Sequence, residues 1–354
     1  MAKNIVICCD GTGNEFSDRN SNVVKLFTVL EADPRVQVAY YNPGIGTMGA
    51  NNALSSVGKW FTKVLGLAFG YGLVDNVGDA YRFLMENWEP EDRLYLFGFS
   101  RGAYTVRVLA SMLHLFGVLP RNNEQLIAYV LRSLKRMDDP GEILARQFKK
   151  TFALECKPHF VGVWDTVSSV GWITDPLKVR YSANNPDIHT GRHAISIDER
   201  RCFFRQNLWG QPLPGQDYKQ VWFAGVHSDI GGGYRESESG LAKVTLQWMI
   251  REATRADLLV QQSVVDEVLG RTPGDYAPVN AGGEMHDSMK GFWQILEYLP
   301  RRHWNGTSNE WIFYRKRPRR IAEGSTLHQA VKDREAAMGY APPNLPRNYE
   351  IEPW

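Results

Sequence analysis

No charge of one sign dominates this chain. Its 354 residues carry 41 lysines and arginines against 39 aspartates and glutamates, a net charge of +2. That is too small a balance for nucleic acid to be the main partner. Cysteine is scarce. The four are Cys8 and Cys9, side by side in an apolar run, and the distant Cys156 and Cys202. Neighbours in a strand point to opposite faces, so no disulfide framework and no metal-ligand spacing emerges, and reduced buried thiols are expected. Long apolar runs are missing as well. The longest, Val64–Val74, is broken by Gly66, Gly70 and Gly72 and falls short of the roughly 20 residues that span a bilayer. The start, Met1-Ala2-Lys3-Asn4 before a short apolar segment, lacks the length and cleavage site of a secretory signal. The expectation is synthesis in the cytoplasm, with export only by a signal-peptide-independent route. Asp10-Gly11-Thr12-Gly13-Asn14 has the glycines of a phosphate loop but no Walker lysine, and no EF-hand-like ligand run occurs, so no required cofactor or metal is expected.

What is present is a repeated order of short apolar strand, polar or glycine-rich turn, and helical periodicity, the pattern of an α/β protein. Ile5–Cys9, Val36–Asn42, the run into Phe97, His159–Trp164 and Gln220–Val226 read as strands. Val23–Leu30, a segment with Val74, Val77, Tyr81, Leu84 and Trp88 at helical spacing, Glu124–Phe152 divided at Pro140-Gly141, and Gly240–Leu258 read as helices. The expected fold is a single α/β-hydrolase-like domain over residues 1–354, a mostly parallel sheet flanked by helices with helical and loop insertions. Residues 43–73 form a candidate lid, 120–155 a helical insertion and 259–354 a C-terminal accessory region of weak pattern. Between Val167 and Phe204 lies a loop-rich stretch of ~40 residues, a length more typical of functional loops than of filler.

The strongest chemical signal is Gly98-Phe99-Ser100-Arg101-Gly102, with a strand before it and a helix after. It reads as a nucleophile elbow, in which flanking glycines let a strained turn close and lift the serine hydroxyl out of the sheet. The bland counterpart is a serine that caps a helix. A serine nucleophile needs a base, and the base needs an acid to orient it. Of the eight histidines, only His227 closes a predicted strand. His114 lies in the elbow helix, His159 opens a strand, His189 and His193 fall in the long loop, and His286, His303 and His328 fall in the tail. The same logic selects Asp165 as the acid, giving the Ser-Asp-His chain order of α/β-hydrolases, with Asp175, Asp198 and above all Asp229 as rivals. The oxyanion would meet the backbone N–H of Arg101 and that of Gly11 or Thr12. Asp10 is open among loop anchor, metal ligand and turn former, and Asp229 among triad rival and support of the His227 loop.

With these residues in place, the chain resembles the α/β-hydrolase domain family, once of uncharacterised proteins, that includes the Tle1-like phospholipase effectors of bacterial type VI secretion. The resemblance rests on Cys9-Asp10-Gly11-Thr12-Gly13-Asn14, Asn22-Val23-Val24-Lys25-Leu26, Gly78-Asp79-Ala80-Tyr81-Arg82-Phe83-Leu84, Leu96 to Tyr104, Gly162 to Val167 and Gly225 to Tyr234. It implies an ester hydrolase of lipase or phospholipase type, with Ser100, Asp165 and His227 where the family's triad falls.

Composition bears on the substrate. The segment Gly44–Gly72 mixes glycines with Met48, Trp60, Phe61 and Phe69, suiting either a lid with an apolar face for acyl chains or a packed internal helix. The cluster Arg315-Lys316-Arg317-Pro318-Arg319-Arg320 suits either anionic head groups at a peripheral membrane contact or a solvated surface. Arg192, Arg200, Arg201 and Arg205 are candidates for a phosphate ligand. The function expected is hydrolysis of lipid or other carboxylic esters on Ser100. The alternatives are a non-catalytic module that binds lipid or protein, and a metal-dependent hydrolase using Asp10, His227 and Asp229.

Overall fold

A computed structural model describes residues 2–11, 18–44, 72–134, 139–167, 171–172, 175–176, 179–298, 300–304 and 309–354. Its centre is an eight-stranded sheet. The strands are β1 (Asn4–Cys9), β2 (Gln37–Asn42), β3 (Arg93–Phe99), β4 (Pro158–Trp164), β5 (Thr190–Ser196), β6 (Asp217–Phe223), β7 (Ser325–His328) and β8 (Tyr349–Glu352). They lie in the order β8-β7-β6-β5-β4-β3-β1-β2, and every neighbouring pair is parallel. This is the α/β sheet flanked by helices that the sequence implies. A parallel sheet is covered on both faces, which is why its central strands are apolar throughout rather than alternating. In β1, Ile5, Ile7 and Cys9 enter one core, while Val6 and Cys8 enter the other. The adjacent cysteines therefore face opposite sides. All four cysteines are free and buried, and burial pushes the Cys9 thiol up to about 12.

The first core is covered by α2 (Leu73–Asn87), α3 (Arg101–Phe116), α4 (Ile127–Leu134) and α5 (Asp139–Phe152). The second is covered by α1 (Asn22–Val29), α7 (Gly240–Arg255) and α8 (Gln262–Val268). Between them in sequence lies the short α6 (His227–Gly231). α3 is buried almost all round, so the cation in its interior turns, Arg107, must be satisfied by protein. Arg107 donates to the carbonyl oxygens of Ser182 at 2.7 Å and of Asn207, and burial lowers its pKa to about 10. The helix ends at Gly117, whose φ of +69° suits a residue without a side chain. There the Tyr81 hydroxyl of α2 donates to Gly117 O at 2.9 Å and accepts from Leu119 N–H at 3.0 Å.

Two stretches differ from the reading of the sequence. The long loop between Val167 and Phe204 contains β5, all of whose residues are buried. Its polar residues hide it. Arg192 pairs with Glu252 of α7 at 2.7 Å and Asp217 at 2.6 Å. His193, assigned to the loop by sequence, accepts from Thr166 N–H at 3.1 Å and is held down to about 3, chiefly by burial. The weakly patterned tail supplies β7 and β8, strands of four residues each, too short for alternation to register.

β1 has β2 on one side and β3 on the other, so chain order reverses there. Ligands of open α/β sheets bind at such a switch, outside the carboxyl ends of the strands.

Replacing Tyr81 with Phe leaves a buried carbonyl and a buried N–H without their partner, and is expected to lower stability by about 1–3 kcal/mol in urea unfolding. A loss indistinguishable from zero would refute the bridging role given to this hydroxyl.

Candidate active site

The end of β3 and the start of α3 form a turn that only a particular sequence tolerates. Ser100 sits at φ +58°, ψ −116°, a region costly for a residue with a side chain. Its neighbours explain why the turn closes. A Cβ on Gly98 would lie 2.5 Å from Gly102 O, and one on Gly102 would lie 2.1 Å from Cys9 O. The second approach brings the end of β1 against the elbow. The Ser100 N–H donates to Trp164 O at 3.0 Å, joining the elbow to the end of β4.

Asp165 follows β4 and is itself left-handed, at φ +40°. Its N–H is fixed by Ala194 O of β5 at 2.8 Å, so its carboxylate turns inward and is fully buried. His227 opens α6 just beyond β6. Its Nδ1 lies 2.5 Å from Asp165 Oδ2 and its Nε2 lies 2.8 Å from Ser100 Oγ. The ring is held between Phe99 and Phe204, with centroids at 4.7 Å from each. Burial lowers the His227 pKa, a shift that the bond to Asp165 partly opposes. Burial alone would raise the Asp165 carboxyl, but the Arg319 guanidinium and His227 outweigh it and hold the group well below the usual carboxylate range.

The other predicted residues divide into supports and donors. Asp10 is an anchor: its carboxylate accepts from Gly11 N–H at 2.6 Å, Ser21 Oγ at 2.5 Å and the Tyr41 hydroxyl at 2.9 Å. It thereby ties the ends of β1 and β2 to the N-cap of α1. The Gly11 N–H, expected to face an oxyanion, is turned to Asp10 instead, because the side chain of the preceding residue folds back over it. Thr12 and residues 45–71, nearly all of the candidate lid, lie outside the described residues. The Arg101 N–H stands at the start of α3, directly after Ser100. Asp229 braces the His227 loop, accepting from Val226 N–H at 3.0 Å and pairing with His286 Nδ1 at 2.7 Å. Asp10, His227 and Asp229 thus hold separate partners, and among the described residues no three His, Cys, Asp or Glu side chains gather as a ligand set. Asn22, quoted above only as part of a motif, secures the same loop through Ile230 O at 2.9 Å and Ala242 O at 2.8 Å.

A family model of the catalytic domain of Tle1-like phospholipase effectors of type VI secretion matches residues 3–252. The chain belongs to that family. An uncharacterised protein of Saccharomyces cerevisiae, YEL023C, is 38% identical over 229 residues, which are 60% of this chain and 33% of that one. Sequences of this kind are therefore not confined to bacteria. An uncharacterised protein from Pseudomonas aeruginosa of solved structure is 21% identical with a TM-score of 0.43, over 75% of this chain and 47% of that one. The Tle1 effector bound to the VgrG spike of the type VI secretion system is 20% identical with a TM-score of 0.38, over 68% and 53%. The chain thus spans a third of the yeast protein and about half of each solved chain.

Two residues at the family member's site escaped sequence reasoning. Glu199, in the stretch read as loop, accepts from His227 N–H at 3.3 Å and holds Arg201 at 2.8 Å, while Ser288 reaches it at 3.2 Å. Burial would raise its carboxyl, but bonds and charge from Arg201 bring it down to about 2. Arg319, last but one in the basic cluster, is buried and grips both oxygens of Asp165, at 2.5 and 2.9 Å. Only the other members of that cluster reach solvent, Arg315, Arg317 and Arg320 being exposed. A run of like charge carries no mark of which member turns inward. Of the phosphate candidates, Arg192 is engaged by Glu252 and Asp217, Arg201 by Glu199 and the Phe204 ring at 3.7 Å. Arg205 lies over Tyr314 at 4.2 Å, and Arg200 is exposed.

Because the Glu199 carboxyl drops from 4.5 unfolded to about 2 folded, its stabilisation is fully present above the unfolded value and is lost as pH falls through the folded one. It amounts to about 3 kcal/mol at neutral pH. Denaturant unfolding of Glu199→Gln is expected to show a large deficit near pH 7 that shrinks by about half near pH 3. An equal deficit at both pH values would sink the assignment.

Proposed function

We propose that this chain is a serine hydrolase of carboxylic esters, with lipid and phospholipid esters as its substrates. The observation that carries the reading is the unbroken line from Ser100 Oγ through His227 to Asp165, at 2.8 and 2.5 Å, assembled from the ends of three different strands. Membership of a phospholipase effector family supports the lipid class.

The chemistry follows from the acidities. Serine is not ionised at neutral pH, so His227 Nε2 takes the Oγ proton as Oγ attacks the ester carbonyl carbon. Asp165 fixes the tautomer that leaves Nε2 as acceptor and steadies the ring when it becomes cationic. The tetrahedral oxyanion meets the Arg101 N–H. Collapse expels the alcohol, which takes the proton from His227, and leaves the acyl group on Ser100. A water molecule, deprotonated by the same Nε2, then releases the acid and restores the serine. No step calls on a metal or cofactor.

The test compares the parent chain and Ser100→Ala on a short-chain p-nitrophenyl ester and on phosphatidylglycerol or phosphatidylcholine vesicles, with and without chelator. The expected result is cleavage of both substrates, a loss of at least about a thousandfold in the variant, and indifference to chelator. Chelator sensitivity with an active Ser100→Ala would favour a metal-dependent hydrolase. No ester cleavage and no labelling by a fluorophosphonate would favour a binding module.

A second expectation concerns pH. The base must be neutral to act, and burial holds His227 below its ordinary value of 6.5. The acid limb of kcat/KM is therefore expected below 6.5. A limb at or above that value would contradict the burial argument.

A further inference from the structure

The partner of Asp165 lies beyond the residues that the family shares. The family model ends at residue 252, whereas Arg319 sits 154 residues after Asp165 in sequence. Its guanidinium takes both carboxylate oxygens, Nη1 to Oδ1 at 2.5 Å and Nη2 to Oδ2 at 2.9 Å. Arg319 is itself held in place. Nη1 also donates to Ser196 O at 3.1 Å and Nη2 to Phe204 O, while Asn344 Nδ2 donates to the Arg319 carbonyl at 3.0 Å. The remaining approach to Oδ1 is filled by Ser196 N–H at 3.0 Å. The carboxylate has no freedom to rotate, and the oxygen it shows to His227 is chosen for it.

We infer that Arg319 is a positioning residue for the Ser100–His227–Asp165 chain, fixing the Asp165 carboxylate and offsetting its charge so that His227 stays neutral where the reaction runs. The inference rests on the reading under Proposed function. Its electrostatic half follows from counting the charges around the ring. Asp165 and Glu199 bring two carboxylates to His227, at Nδ1 and at the backbone N–H. Arg319 and Arg201 pair with those same carboxylates, at 2.5 Å and 2.8 Å. An imidazolium there would face two compensated pairs rather than two bare anions, so its burial is not repaid by charge. A bidentate guanidinium does this in a way that a lysine cannot, because a point charge engages one oxygen and leaves the other free to turn.

The experiment uses the full chain: parent, Ser100→Ala, Arg319→Gln and Arg319→Lys. It follows kcat and KM for a p-nitrophenyl ester across pH, with active sites counted by fluorophosphonate titration so that rates refer to competent molecules only. Arg319→Gln is expected to move the acid limb of kcat/KM upward by about one pH unit, the lower end of what an adjacent charge exerts. Its kcat per titrated site should fall while KM holds. Arg319→Lys should move the limb in the same direction by less, and it carries the comparison alone if Arg319→Gln does not fold. Variants that are less stable yet keep the parent's acid limb and kcat per titrated site would overturn the inference and leave Arg319 a purely structural cation. An active Ser100→Ala would overturn instead the serine reading beneath it, so the two failures are told apart.

Discussion

A carboxylate with no exposed surface sits at the centre of this molecule, and most of the architecture around the site serves to keep it there. Removing Asp165 from water is unfavourable unless every lone pair finds a donor. The donors come from far apart: Ser196 N–H at the end of β5, His227 at the start of α6 and Arg319 before β7. Ser196 and His227 are in reach because the strands run parallel, so that their carboxyl ends share one edge of the sheet, and Arg319 reaches the same edge from the segment that precedes β7. The same edge carries the elbow, whose Ser100 N–H is bonded to the last carbonyl of β4. Site and sheet are thus one construction.

Two of the chain's left-handed, non-glycine residues are the ones that position a reactive group. Ser100 and Asp165 both have positive φ, and both directly follow a strand. Such conformations persist only where the surroundings over-determine them. Here the close approach of Gly102 to Cys9 O and the bond from Asp165 N–H to Ala194 O supply that constraint. The supporting carboxylates work in the same way on the loops: Asp10 gathers β1, β2 and α1, and Asp229 holds the turn that presents His227.

What could be read from the sequence follows from what local chemistry makes visible. β1, β3 and β4 are apolar runs ending in glycine, serine or aspartate, so both the strands and the residues at their ends stand out, and Ser100, Asp165 and His227 could be named from position and order. β5 could not, because Arg192 and His193 occupy buried positions and are satisfied by Glu252, Asp217 and Thr166, partners distant in sequence. Glu199 and Arg319 were hidden for the same reason. Their burial is decided by pairing across the fold, and a charged residue looks the same in sequence whether it meets solvent or a buried counter-ion. The Gly11 N–H shows the same on a smaller scale, since a neighbouring carboxylate claims it within a single turn.

The order in which the chain leaves the ribosome gives the Arg319 contact a temporal side. Ser100, Asp165 and His227 are synthesised first, together with the six strands from β1 to β6. Arg319 follows only with the segment leading into β7, which docks on β6 through Thr326 and Leu327. Until that segment arrives, the growing chain holds all three residues of the line but an uncompensated interior anion. The segment that brings β7 to the sheet is thus also the one that brings the acid its counter-charge, and a chain interrupted before it carries the letters of the site without its charge balance.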